Sequence, residues 1–213
     1  CPLGSDGACR VPMATAAVGD TDWRVGQRSA ASGGVEFFAL GPQGEVVALP
    51  TREGDVLRFV RVGAGPLFHG DVERGGRFVP VVWTAPDAPY RELPVGDFAR
   101  APSPLQSDAS RRIVGDAEEA RMPVLWTPSG DGYRLETLPL LDGDTTGSAS
   151  SIDADVVAGI SGSRAVAWEI TGDRVRVVEL PKPREAVRCT GSAATSRGRV
   201  LGVCEWLDGR MVG

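Results

Sequence analysis

Short runs of alternating apolar and polar residues follow one another along most of the chain, with turns rich in Gly and Asp between them. Residues 123–127 (Pro-Val-Leu-Trp-Thr) form one run, Ser129-Gly130-Asp131-Gly132 a turn, and residues 133–138 the returning run. Residues 147–152 and 155–159 make a second pair around Asp153-Ala154. A period of two between turn residues predicts β-hairpins rather than helices. Only residues 116–121 have a mildly helical composition, and they are too few to make a helix that matters.

The runs recur. Pro80-Val81-Val82-Trp83-Thr84 returns as Pro123-Val124-Leu125-Trp126-Thr127, and Ala165-Val166-Ala167-Trp168 follows. Phe37-Phe38 holds the corresponding place earlier, and Cys204-Glu205-Trp206 later. After each aromatic comes a turn and a run that closes on Leu-Pro: Leu49-Pro50, Leu93-Pro94, Leu138-Pro139 and Leu180-Pro181. Hydrophobic-Gly anchors follow at Gly70, Gly115, Gly159 and Gly202, with a fifth at Gly26.

Three markers in fixed order, about 43 residues apart, predict an all-β five-bladed β-propeller with four-stranded blades. A sheet of that size cannot keep both faces dry alone, so neighbouring blades must cover it. The whole chain, 1–213, is expected to be one domain. Residues 203–212 resemble the first hairpin of a unit, and the stretch from Cys1-Pro2-Leu3 to Gly26 resembles the second. The last blade is therefore expected to be shared between the N- and C-termini.

Composition agrees. Of 213 residues, 28 are Gly and 16 Pro, which suits frequent turns and short strands. With 42% apolar and 24% charged residues the chain is neither disordered nor fibrous. A net charge of -5 argues against a nucleic-acid partner, and no apolar run is long enough to span a membrane. Arg outnumbers Lys 22 to 1, a bias expected of a GC-rich genome rather than of a function.

The four cysteines, Cys1, Cys9, Cys189 and Cys204, gather near the two ends. With no CxxC and a single histidine, zinc is disfavoured and disulfides are expected, hence an oxidising compartment and a secreted protein. The midpoint of Cys189 and Cys204 falls between Ser196 and Arg197, just before Gly198. A hairpin turning there would set the two cysteines opposite each other, with Cys1–Cys9 closing a small loop. A Cys9–Cys204 bond between the termini is the rival pairing, and lipidation of Cys1 the rival to its disulfide.

Gly147-Ser148-Ala149 through Val156-Val157-Ala158-Gly159, and Gly191-Ser192-Ala193 through Val200-Leu201-Gly202, look like the second half of one repeat type. Ala165-Val166-Ala167-Trp168 and residues 206–212 look like its first half. On these residues the chain resembles the HAF-repeat family of secreted bacterial proteins. The resemblance implies export and a propeller-like fold, and implies no chemistry.

Chemical motifs are sparse. His69 is the only histidine, and no GxSxG or HExxH accompanies it, so it reads as a strand residue inside a repeat anchor. Glu118-Glu119 and Asp142/Asp144 are paired carboxylates whose separation the sequence does not fix. Asp142, Asp144, Thr146 and Asp153 have partial calcium-loop spacing, which lacks the bidentate Glu. The recurring tryptophans read as core. Trp23, Phe59, Phe68 and Phe98 stand outside the repeat and are the candidate ligand-binding aromatics. Arg52, Arg58, Arg61, Arg74, Arg77, Arg111 and Arg112 read as solvated edge charges.

The leading expectation is a secreted, non-catalytic binding module or adaptor. It would need no cofactor and would meet a protein partner through its propeller loops, within a larger exported assembly. The alternatives are a lectin propeller for a surface glycan and a hydrolase with a carboxylate pair in a central channel.

Overall fold

The computed structural model describes residues 23–29, 35–64, 66–195, 197–207 and 210–212. Among them the protein is all-β, with antiparallel sheets of three or four strands and no helix. The chain divides into two compact units, Cys1–Leu93 and Pro94–Gly213.

The first unit holds two sheets. One runs β1 (Arg24–Ser29), β2 (Val35–Leu40), β3 (Val46–Ala48). The other runs β4 (Val56–Val62), β5 (Phe68–Arg74), β6 (Arg77–Trp83), β7 (Arg91–Glu92). Val25, Ala39, Val60, Phe68, Val81 and Trp83 form the core between them.

The second unit holds three sheets, each also in sequence order. They are β8 (Ser103–Ser107), β9 (Ile113–Ala117), β10 (Met122–Ser129), β11 (Gly132–Thr137); then β12 (Gly147–Asp153), β13 (Val156–Ser161), β14 (Arg164–Thr171), β15 (Arg174–Glu179). The last is β16 (Ala186–Ala194), β17 (Val200–Trp206), β18 (Met211–Val212). Strand β12 packs on β8, β9 and β10, and β16 on β12, β13 and β14, so the first strand of each of the last two sheets faces the sheet before it.

The hairpins are those expected, including the β12–β13 turn with Ala154 at φ 47°. The frame is shifted by one hairpin. β10 pairs with β9 and β11, while β11 and β12, expected in one blade, lie in different sheets. Each sheet thus joins the second hairpin of one repeat unit to the first of the next. Gly26, expected in a blade shared between the termini, lies instead on β1, which pairs with β2. Val203 to Glu205 pair within the sheet begun by β16, and residues 1–22, expected to complete that blade, lie outside the described residues.

The three repeat markers are one packing device. Gly115 lies opposite a bulge between Pro104 and Gln106, and Gly159 opposite a bulge between Ala149 and Ser151. A Cβ on Gly159 would overlap the Ser148 carbonyl and stand 2.7 Å from the Trp168 ring. Only a hydrogen there lets the ring lie flat on the strand. The tryptophan then reaches back to the Leu-Pro end of the preceding sheet. Trp83 Nε1 donates to the Pro50 carbonyl at 2.9 Å, Trp126 to Pro94 at 2.8 Å and Trp168 to Pro139 at 2.6 Å. All three rings are fully buried. Trp206, expected as a fourth member, instead ends β17, the second strand of its sheet, and is only partly buried.

Cys189 and Cys204 are cross-strand partners on β16 and β17 and form a disulfide, as the hairpin spacing predicts. Cys1 and Cys9 lie outside the described residues.

Candidate functional site

The β9–β10 connection is a tight turn at residues 118–121. Arg121 closes it in the left-handed region at φ 52°, donating its N–H to the Glu118 carbonyl at 3.2 Å. A non-glycine residue there carries backbone strain, which accumulates at functional sites. The Arg121 carbonyl accepts the Gly147 N–H at 2.8 Å, which ties the turn to the start of β12.

This junction frames a cleft of about 200 Å³, entirely within the second unit, lined by Asp116, Glu118, Arg121, Thr146, Ser148 and Ile160 among others. At ~30 Å³ per water it has room for roughly seven waters, or a small polar fragment. Asp116 projects from β9 and is partly buried. Its Oδ2 accepts the Ser148 hydroxyl at 2.5 Å, and its Oδ1 accepts the Ala149 N–H at 2.9 Å.

Burial pushes the Asp116 carboxyl above the ordinary carboxylate range. The bonds from Ser148 and Ala149 pull it back in part, and the Glu118 charge adds to the rise. Glu118 is itself well exposed, 3.6 Å from Arg100. A raised carboxyl beside hydroxyls, a second carboxylate and a cation is equipped to hold or pass a proton.

Around the cleft, Asp144 accepts Ser161 Oγ at 2.7 Å and Arg164 Nη2 at 2.9 Å, and these two donors hold its carboxyl below the usual range. Asp144 is one of the four residues with calcium-loop spacing, Asp142, Asp144, Thr146 and Asp153. Asp144 is committed to a cation of the chain, and no cluster of three or more His, Cys, Asp or Glu that could hold a metal exists among the described residues.

The candidate aromatics do not converge. Phe68 is fully buried in the core of the first unit, which removes it as a ligand platform. Trp23 packs edge-on against it at 6.0 Å. Phe59 lies under the Arg61 guanidinium at 4.8 Å, and Phe98 is partly buried in the second unit. His69 is fully buried on β5, as a strand histidine should be.

Three arginines depart from the reading as solvated edge charges. Arg74 is partly buried and pairs with Asp55 at 2.8 Å. Arg112 is buried and spans Asp108, at 2.7 Å, and Asp155, at 3.0 Å. Arg61 is partly buried. Sequence reasoning passed over Asp116 as well. The available signal was its offset: Asp71 and Asp116 both follow a repeat-anchor glycine directly.

No family profile and no curated protein matches the chain. Solved structures do. Virginiamycin B lyase from Staphylococcus aureus superposes with a TM-score of 0.53 at 11% identity, over 96% of this chain and 72% of that one. A catalytically inactive histidine-to-alanine variant of the same lyase, with quinupristin, gives the same figures. A streptogramin B lyase follows at 12% identity and TM-score 0.46, over 87% of this chain and 66% of that one. The shared fold is that of a β-propeller. The expectation of a chain without catalysis is corrected by this comparison, because the solved structures that share the fold are enzymes.

Proposed function

We propose that the protein is an exported propeller enzyme that performs acid–base chemistry on a small polar ligand in the Asp116 cleft. The reaction class is lyase or hydrolase. Protonated, Asp116 gives its proton to a departing oxygen, and as carboxylate it takes a proton back. Ser148 and the Ala149 N–H orient it, and Arg121 stands at the rim with no ion-pair partner among the described residues to attract an anionic group. The observation that carries this reading is one partly buried carboxyl, raised by burial, lining a cleft with a second carboxylate.

The names of the structural neighbours supply the first substrates to try, virginiamycin B and quinupristin. This chain meets them with different groups, since its one histidine is buried in the first unit while the cleft holds carboxylates. Export is supported by the Cys189–Cys204 disulfide. Five successive sheets support a reading as five blades of one propeller, related to the HAF-repeat proteins.

The purified chain is to be assayed against the two streptogramins and a panel of glycosides and esters. Asp116→Asn keeps the shape and removes the proton, so it should lower turnover about 100-fold or more, the usual worth of a general acid or base. Turnover unchanged in that variant would remove Asp116 from the chemistry.

A second reading, recognition of a protein partner, is favoured by the last hairpin. Leu201, Leu207 and Met211 there are 62%, 89% and 65% exposed. It is compatible with catalysis elsewhere in the chain.

A further inference from the structure

Buried cations are normally answered by anions, and Arg112 obeys the rule through Asp108 and Asp155. Arg61 does not. It lies on β4 in the first unit, partly buried, and its Nε is buried with no hydrogen-bond partner. No carboxylate comes within ion-pair distance of it among the described residues. Its guanidinium lies over the Phe59 ring, 4.8 Å from the ring centre. Loss of hydration lowers the Arg61 pKa from its ordinary value, and no carboxylate among the described residues offsets that cost.

The register explains the surroundings. Arg61 pairs with His69 across β4–β5, and Phe59 pairs with Asp71. Cross-strand partners share a face, so Phe59, Arg61, His69 and Asp71 stand together on one face of the sheet. Val60, Val62 and Phe68 point the other way, into the core. His69 and Asp71 each have interactions of their own. An aromatic ring fixes the plane of the guanidinium, whose edge is the part that grips a planar oxyanion.

We infer that Arg61, laid over Phe59, anchors a binding site in the first unit for a carboxylate-bearing ligand. The site is separate from the Asp116 cleft and does not depend on its chemistry. The ligand supplies the counter-charge, its planar carboxylate matches the guanidinium fork, and Phe59 holds that fork in one orientation. A tetrahedral phosphate offers charge without the planar match.

The test uses the full chain, labelled for observation of arginine Nε–Hε resonances. It is titrated with sodium acetate and, separately, with inorganic phosphate, at constant ionic strength. Acetate should move the Arg61 resonance saturably and raise the Tm. Both effects should vanish in Arg61→Gln and weaken at least 3-fold in Phe59→Leu and in Arg61→Lys. Arg61→Met should be at least as stable as the native chain without acetate and should gain nothing from it. No saturable shift with either anion would overturn the proposal. So would an acetate-induced Tm gain that survives Arg61→Gln, and preference for phosphate would overturn the carboxylate assignment.

Discussion

Trp168→Ala is expected to cost about 3–5 kcal/mol of stability, the range for truncating a large buried aromatic. The ring is fully buried among Val157, Val166 and Ile152, rests on Gly159, and donates Nε1–H to the Pro139 carbonyl. Truncation opens a cavity and leaves that carbonyl unpaired at the contact between consecutive sheets. Trp168→Phe separates the two terms. It keeps most of the apolar ring and loses only the donor, so about 1–3 kcal/mol is expected. Urea denaturation measures both. Where the two compact units unfold in separate transitions, the loss belongs to the transition of Pro94–Gly213. A loss below ~1 kcal/mol for the alanine variant would mean that the repeat markers do not hold the sheets together.

Removing the Cys189–Cys204 bond is expected to cost about 3 kcal/mol, the chain-entropy value for a closed loop of this length. The bond sits where the fold has least else to rely on. Among the described residues its sheet has three strands, the outermost being the two-residue β18, and Leu201, Met211 and Val212 are exposed. Cys189→Ser/Cys204→Ser should speed amide exchange throughout β16 and β17 before it affects β12–β15. Exchange unchanged in the last sheet would show that strand pairing and packing on β12, β13 and β14 secure it without the disulfide.

Much of the fold was legible because the repeat markers are physical requirements. A glycine opposite a bulge, an indole on that glycine and a carbonyl to receive its N–H each demand a residue type, so the types recur. The frame of the sheets was not legible. A period of about 43 residues is the same wherever the unit is cut, and nothing in residues 123–159 says that β11 and β12 part company while β9 and β10 pair. Trp206 misled for a related reason. It is an aromatic near the expected spacing, but it follows Gly202 on the same strand, whereas Trp126 and Trp168 lie on the strand after their glycine.

The site was less legible than the fold. Asp116 is one of 28 acidic residues, and its distinction is burial and the company of Ser148, which comes from a different sheet. Arg61 and Arg112 look alike in sequence beside other arginines. Only the fold gives Arg112 two aspartates and Arg61 none among the described residues. The reading as a binding module without catalysis had leaned on missing motifs. A carboxyl raised by burial needs no motif, so missing motifs could not exclude it.

The central claim is that Asp116 carries a proton in the cleft at higher pH than a solvated aspartate would. A group whose folded pKa is raised binds its proton more tightly in the native state. Its contribution therefore favours folding at low pH and is lost as pH rises from the ordinary value near 3.8 through the raised one. The measurement is the pH titration of the Asp116 side-chain carboxyl 13C shift in the native chain, with Asp116→Asn to assign the signal. A midpoint above 3.8, matched by a fall in stability over the same interval that the variant lacks, is the predicted result. A midpoint at or below that value would contradict the account.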